Sequence, residues 1–274
     1  MHFVKVHGAG NDFVLLPDSH DEITLDAELV RALCDRHLGV GGDGVIRLGP
    51  ARPGVDADVF MDYWNADGSI AEMCGNGVRC VAKYVGDRGM LAAVEVRVDT
   101  RDGVKPVTVQ RGVDGKVVSA RVDMGAPVVG KVDWPMDVGG ETLSVTTLSM
   151  GNPHAVVVVD DVDAFALADF GPQLQGHDEF PEGTNVEVIA VAERDVVQGR
   201  IWERGVGETM ASGTGASAMA AAAHLLGLAA RRSTVVLPGG ELEIEWTDET
   251  LWVTGPAVEV ADGELDTAWL TTIR

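Results

Sequence analysis

Lysine is scarce in this chain, with five in 274 residues, and the 21 basic residues are outnumbered by 43 acidic ones. A formal charge of −22 repels phosphate backbones and anionic lipid, so neither nucleic acid nor a membrane surface is expected as a partner. No apolar run approaches the roughly 20 residues that span a bilayer. The N-terminal MHFVKVHGAGNDF lacks an apolar stretch followed by a small-residue cleavage site, so no signal peptide is expected. Three cysteines, Cys34, Cys74 and Cys80, are too few for a disulfide framework and point to a reduced, cytoplasmic protein. The seven histidines are dispersed, without H-x-x-x-H spacing, and C-x-x-C is missing, so no metal site is expected. None of the lysines has a recognisable Schiff-base setting. No cofactor is expected.

What is present suits a folded chain of one large or two small cores, 46% hydrophobic and with 34 glycines. Strand-like runs dominate: FVLLP near 13, DVFMDYW from 58, VEVRVDT from 94, VSARVDM from 118, AVVVVDD from 155, NVEVIAV from 185 and TVVLP from 234. Two segments read as buried helices, one from Gly75-Asn76-Gly77 and one from Gly213-Thr214-Gly215. A shorter amphipathic helix over LDAELVRALCDRH, entered at Thr24, puts Leu25, Leu29 and Leu33 on one face.

The order of these features repeats. Gly10-Asn11 and Gly151-Asn152 each precede an apolar strand, and Gly10 to Gly75 nearly equals Gly151 to Gly213. Asn65 precedes Cys74 by the same interval as Glu203 precedes Ser212. The expectation is an α+β chain of two homologous domains facing each other across a cleft. The first covers 1–115 and the second 116–263, with the boundary at the polar turn near 114–118. The terminal TAWLTTIR reads as a strand, and 264–274 is assigned to the first domain.

Cys74 stands just before the first long helix, where free N–H groups and the positive dipole end stabilise an anion. A thiol there is expected to titrate below its usual ~8.5. Buried cysteines are common, but a merely packed one has no use for the two glycines behind it. Cys80 and Cys34 read as core. Ser212 holds the equivalent place and can also serve as a helix N-cap. Asn11, Asn65, Asn152, Asn185, Glu203 and Arg204 lie near expected strand ends. Singly each suits a turn, but together they suit a zwitterionic ligand, with Arg204 for a carboxylate and Glu203 for an ammonium. His154 is the histidine nearest them. Gly39–Gly44 matches G-x-G-x-x-G, but it runs from helix to strand, the reverse of dinucleotide-binding order.

HGAGNDFV, NADGSIAEMCGNGVRC, GNPHAV, GTNVEV and ERGVGET-x-A-S-GTGA, taken together, resemble the diaminopimelate epimerase family. The resemblance implies two pseudo-symmetric domains, each a mixed β-barrel-like sheet around a central helix, with the active site in the interdomain cleft, and a homodimer. It implies cofactor-free, two-base conversion of L,L- to meso-diaminopimelate, on the route to lysine and peptidoglycan. Cys74 would be one base. Backbone N–H groups at Gly75, Asn76, Gly213 and Thr214 would hold the reacting carboxylate. Glu203 and His154 would assist proton transfer. Asn65, Asn152, Asn185 and Arg204 would grip the distal end, and Asn11 would line the same pocket.

Two departures stand out. Gly44 replaces a glutamine found in many members, and Ser212 replaces the second cysteine. The coherent MASGTGASAMA favours a native serine over a substituted cysteine. Loss of one thiol leaves open a one-thiol amino-acid dehydratase or isomerase, a racemase of another amino acid, and a non-catalytic amino-acid-binding protein.

Overall fold

The computed structural model of the chain describes residues 1–90 and 94–273. It divides into two compact units, Met1–Val122 with Gly255–Arg274, and Asp123–Thr254.

The first unit begins with strands β1 (His2–Gly8) and β2 (Asn11–Pro17), followed by helix α1 (Ala27–Cys34). Strands β3 (Gly44–Gly49) and β4 (Val59–Asn65) lead to helix α2 (Gly75–Asp87) and strands β5 (Glu95–Thr100), β6 (Gly103–Arg111) and β7 (Val117–Asp123). Successive strands pair antiparallel, parallel, antiparallel, parallel, antiparallel and antiparallel.

In the second unit β8 (Val128–Val129) and β9 (Trp134–Val138) form a small addition beside β10 (Glu141–Ser149). The chain continues through β11 (Pro153–Val158), helix α3 (Leu167–Gln175), β12 (Asn185–Glu193), β13 (Val196–Glu203) and the short β14 (Gly207–Thr209). Helix α4 (Gly213–Leu225), β15 (Arg232–Leu237), β16 (Gly240–Trp246) and β17 (Leu251–Pro256) complete it. From β10 onward, with the short β14 set aside, the strands pair in the same six senses and the same order as in the first unit. The internal repeat is therefore structural, down to which strand pairs are parallel.

Each unit wraps its strands around one long helix. Helix α2 touches β1, β4, β5, β6 and β18 (Val258–Glu264), and α4 touches β10, β11, β12, β13, β15 and β16. Both helices are buried along most of their length, and α4 is built largely from Gly, Ala and Ser. A helix that is apolar all round must be enclosed, and Gly, Ala and Ser let strands approach it from several sides. A shorter helix covers the outside of each sheet. Val30, Leu33 and Cys34 of α1 pack on Val14, Leu16 and Val45, and Leu167 and Leu174 of α3 pack on Val157, Val186 and Val188. Each fully buried Leu or Val of these clusters stabilises the unit by about 1.5–3 kcal/mol relative to exposure.

Three expectations change. The short amphipathic helix starts after Asp26, not Thr24, because the Asp26 carboxylate accepts the N–H groups of Glu28 and Leu29 at 3.0 and 2.8 Å. The division between units lies at 122/123 rather than 115/116, since residues 112–116 only turn the β6–β7 hairpin. The C-terminal 264–274 is not a strand. Asp266 caps a helix, α5 (Thr267–Thr272), and the strand that returns to pair with β1 is β18. Residue 274 lies outside the described residues.

Candidate functional site

The two long helices open in the same way. Gly10 and Gly151 sit at φ 85° and 93°, a left-handed conformation that turns the chain into β2 and towards β11. Farther along, Cys74 and Ser212 are the N-caps of α2 and α4, both in extended backbone. Cys74 Sγ accepts the N–H of Gly77 at 3.4 Å, and Ser212 Oγ accepts that of Gly215 at 3.2 Å. A sulfur and an oxygen thus occupy matching positions in the two halves, each backed by the donor-rich end of a buried helix.

In the first unit, the structure gathers Asn11, Cys74, Gly75 and Asn76. The Cys74 thiol lies 3.8 Å from Asn11 Oδ1, which also accepts Asn76 Nδ2 at 3.0 Å. Asn11 Nδ2 donates to Asp43 Oδ2 at 2.8 Å, so its amide is fixed from both ends. Asn76 is held in turn by the fully buried Arg79, whose guanidinium donates to Asn76 Oδ1 at 2.6 Å. The Cβ that Gly8 lacks would come within 3.2 Å of that guanidinium, so the glycine makes room for the arginine. Asn65 ends β4, paired with Gly44, and its side chain donates to Ser69 Oγ at 3.0 Å rather than joining the Asn11 network. Cys80 and Cys34 are core, as expected. Burial pushes both thiols up to about 12, while Cys74 is half-buried.

In the second unit, Glu203 ends β13 as Asn65 ends β4. Its Oε1 accepts the Thr209 hydroxyl at 2.6 Å. Burial raises the Glu203 carboxyl above its ordinary range and nearby Glu187 adds to this, while the Thr209 bond and nearby His154 oppose it. Asn185 begins β12, donates to the Pro153 carbonyl at 2.9 Å and accepts the N–H of Arg204 at 2.9 Å. The Arg204 guanidinium is exposed and donates to the Glu182 carbonyl at 3.0 Å. His154 is buried with Nε2 3.0 Å from Asn152 Oδ1. Ser212 Oγ lies 3.3 Å from Thr214 Oγ1, and Gly213 starts the helix.

Sequence reasoning missed Asp43, Arg79, Thr209 and Glu187. The signal for Glu187 was a lone acid in the apolar NVEVIAV, and for Arg79 a charge inside a buried helix. Among the described residues no group of three or more His, Cys, Asp and Glu side chains is placed to hold a metal. No helix among them is long and apolar enough to cross a membrane.

The fold is shared with a probable proline racemase from Agrobacterium radiobacter, with a TM-score of 0.73 at 19% identity, covering 97% of this chain and 93% of that one. It is shared equally with a PhzF-family phenazine biosynthesis protein from Bacillus anthracis, with a TM-score of 0.72 at 16% identity, covering 97% and 98%. The sequence relatives, rather than the fold, make the chain an isomerase of the racemase and epimerase type. The family model for diaminopimelate epimerase matches residues 3–130 and 146–264. Diaminopimelate epimerases from Acetivibrio thermocellus and Moorella thermoacetica are 42% and 44% identical to it, covering 97% and 96% of this chain and 99% of each relative. The chain belongs to the diaminopimelate epimerase family.

Proposed function

We propose that this enzyme interconverts L,L- and meso-diaminopimelate without a cofactor, with Cys74 serving one face of the α-carbon and Ser212 the other. The observation that carries this reading is the matched capping of α2 and α4 by Cys74 and Ser212. The Cys74 thiolate takes the α-proton, and the electrons of the broken C–H bond spread into the adjacent carboxylate. Backbone N–H groups at Gly75, Asn76, Gly213 and Thr214 receive that growing charge, which fixed donors stabilise without reorganising. A proton then reaches carbon from the Ser212 side. A serine hydroxyl is a far weaker acid than a thiol, so Glu203 and His154 assist the transfer. Asn65, Asn152, Asn185 and Arg204 hold the distal end of the substrate, with Asn11 lining the same pocket. The family supports a cytoplasmic homodimer in a biosynthetic route, and light scattering of the purified protein tests the dimer.

Incubation with L,L-diaminopimelate, followed by chiral chromatography, tests the reading. Formation of the meso isomer supports it. A folded protein giving neither meso product nor α-deuterium in D2O refutes it. The serine at 212 is the one observation favouring a one-thiol dehydratase or isomerase, whose product from a β-hydroxylated amino acid would be a keto acid or imine. A racemase of another amino acid would exchange that substrate instead, and a binding protein would show affinity without exchange.

A further inference from the structure

Glu187 has no part in the reaction as set out above, yet it is among the most enclosed charged residues of the second unit. Its Oε1 lies 2.6 Å from His154 Nδ1, both side chains have no exposure, and Oε2 has no hydrogen-bond partner. Enclosing a carboxyl in this way is costly, and a buried charge pair is a poor route to stability.

The repeat itself shows that the fold does not require this acid. Strand β2 pairs with β3 through Phe13 and Gly44, as β11 pairs with β12 through His154 and Asn185. In those registers His154 stands where Phe13 stands. Two residues past Gly44 and Asn185, on the same faces, lie Ile46 and Glu187. The helices confirm the match. A Cβ on Gly77 of α2 would meet Ile46 Cδ1 at 3.1 Å, and one on Gly215 of α4 would meet Glu187 Oε1 at 3.3 Å. The first unit therefore fills this place with an apolar pair, Phe13 and Ile46. The second unit puts His154 and Glu187 there. A packing task that isoleucine performs in one half does not explain a glutamate in the other.

The imidazole lies between two oxygens, Glu187 Oε1 at Nδ1 and Asn152 Oδ1 at Nε2. A carboxylate at Nδ1 fixes the ring's orientation, so that Nε2 is held against the Asn152 side-chain amide. We propose that Glu187 is the positioning residue of the second half-site, holding His154, and through it Asn152, in the orientation the reaction needs. The role rests on the epimerase reading and adds no covalent step. Glu187 acts through His154 and does not itself touch substrate.

The test replaces Glu187 with the residue the first unit uses. Glu187→Ile is compared with the shape-preserving Glu187→Gln and the native enzyme. Three readouts are thermal stability, kcat and KM for α-hydrogen exchange of L,L-diaminopimelate, and the 15N and ring N–H resonances of His154. Glu187→Ile is expected to fold, to lose roughly 10²-fold in kcat with KM changed less than about three-fold, and to lose the low-field Nδ1 proton. Glu187→Gln, whose amide oxygen can still accept from Nδ1, recovers part of the rate. Should Glu187→Ile fail to fold, Glu187→Gln carries the same readouts, with a smaller fall in kcat and a shifted Nδ1 proton. Native-like kcat, a loss confined to KM, or unchanged His154 resonances would overturn the proposal. If the native enzyme exchanges no diaminopimelate, the epimerase reading fails, and the His154 resonances still show whether Glu187 fixes the ring.

Discussion

The Thr209 hydroxyl donates to Glu203 Oε1 at 2.6 Å. That bond steadies the carboxyl at the end of β13. Burial raises its affinity for a proton, with Glu187 in support, against the pull of the Thr209 hydroxyl and His154. Such a group favours the folded state below its ordinary carboxylate range, and that contribution is lost as pH rises through the elevated folded value.

Glu203→Gln should separate activity from stability. The amide keeps an oxygen for Thr209 and removes the buried charge, so thermal stability at neutral pH should hold or rise. The rate of α-exchange should fall about 10²–10⁴-fold, the usual contribution of a positioned acid or base. Parallel thermal melts and exchange rates check this, and an unchanged rate would remove Glu203 from the reaction.

The thiols should sort by position. Cys74 caps a helix and is half-buried, whereas Cys34 and Cys80 are enclosed and pushed up to about 12 by burial. Iodoacetamide on the native protein near pH ~8 should add one group, at Cys74, and abolish exchange. Mass spectrometry of the digested adduct identifies the site. Modification of Cys80 before unfolding would contradict the placement.

Gly44 should resist the glutamine that the family resemblance expects there. A Cβ at this position would lie 2.5 Å from the Trp64 carbonyl oxygen and 2.6 Å from Tyr63 Cε2. The tyrosine fills the room, and the backbone oxygen cannot give way cheaply. Gly44→Gln should destabilise the enzyme by about 1–3 kcal/mol in urea denaturation. A neutral or stabilising result would mean that β3 and β4 shift more easily than their pairing suggests.

Acid stability should depend on Asp12, which accepts Lys5 Nζ at 2.5 Å and Arg36 Nη2 at 2.8 Å. Burial alone would raise this carboxyl, but the Arg36 and Lys5 bonds outweigh it and bring it from 3.8 to about 2. A lowered folded value stabilises the protein above 3.8, and the benefit is lost as pH falls through about 2. Asp12→Asn should cost roughly 1–3 kcal/mol at neutral pH and flatten this acid limb. Melting temperature followed from neutral to acid pH distinguishes the two profiles.

The helix mouths were legible in the sequence because their chemistry is local. A Cys or Ser cap followed by Gly-x-Gly sets both the bend and the donor positions within four residues. The repeat was legible because each half carries those signals in order. Contacts across strands were not. His154 and Glu187 are 33 positions apart, and Asn11 and Asn76 are 65 apart. Periodicity says which face a residue occupies but not which neighbour lies opposite. Helix α3 went unseen because Gly171 and Pro172 interrupt its pattern. The terminal TAWLTT looked extended from its Thr and Trp, but the Asp266 cap and the packing of Trp269 and Leu270 against the first unit's core made it helical.

Deuterium incorporation at the α-carbon of L,L-diaminopimelate in D2O, followed by mass spectrometry, tests the central pairing of Cys74 with Ser212. The native enzyme should exchange slowly, Cys74→Ala should not exchange, and Ser212→Cys should exchange at least about 10²-fold faster than native. A Ser212→Cys enzyme no faster than native, or a Cys74→Ala enzyme at the native rate, would contradict the account.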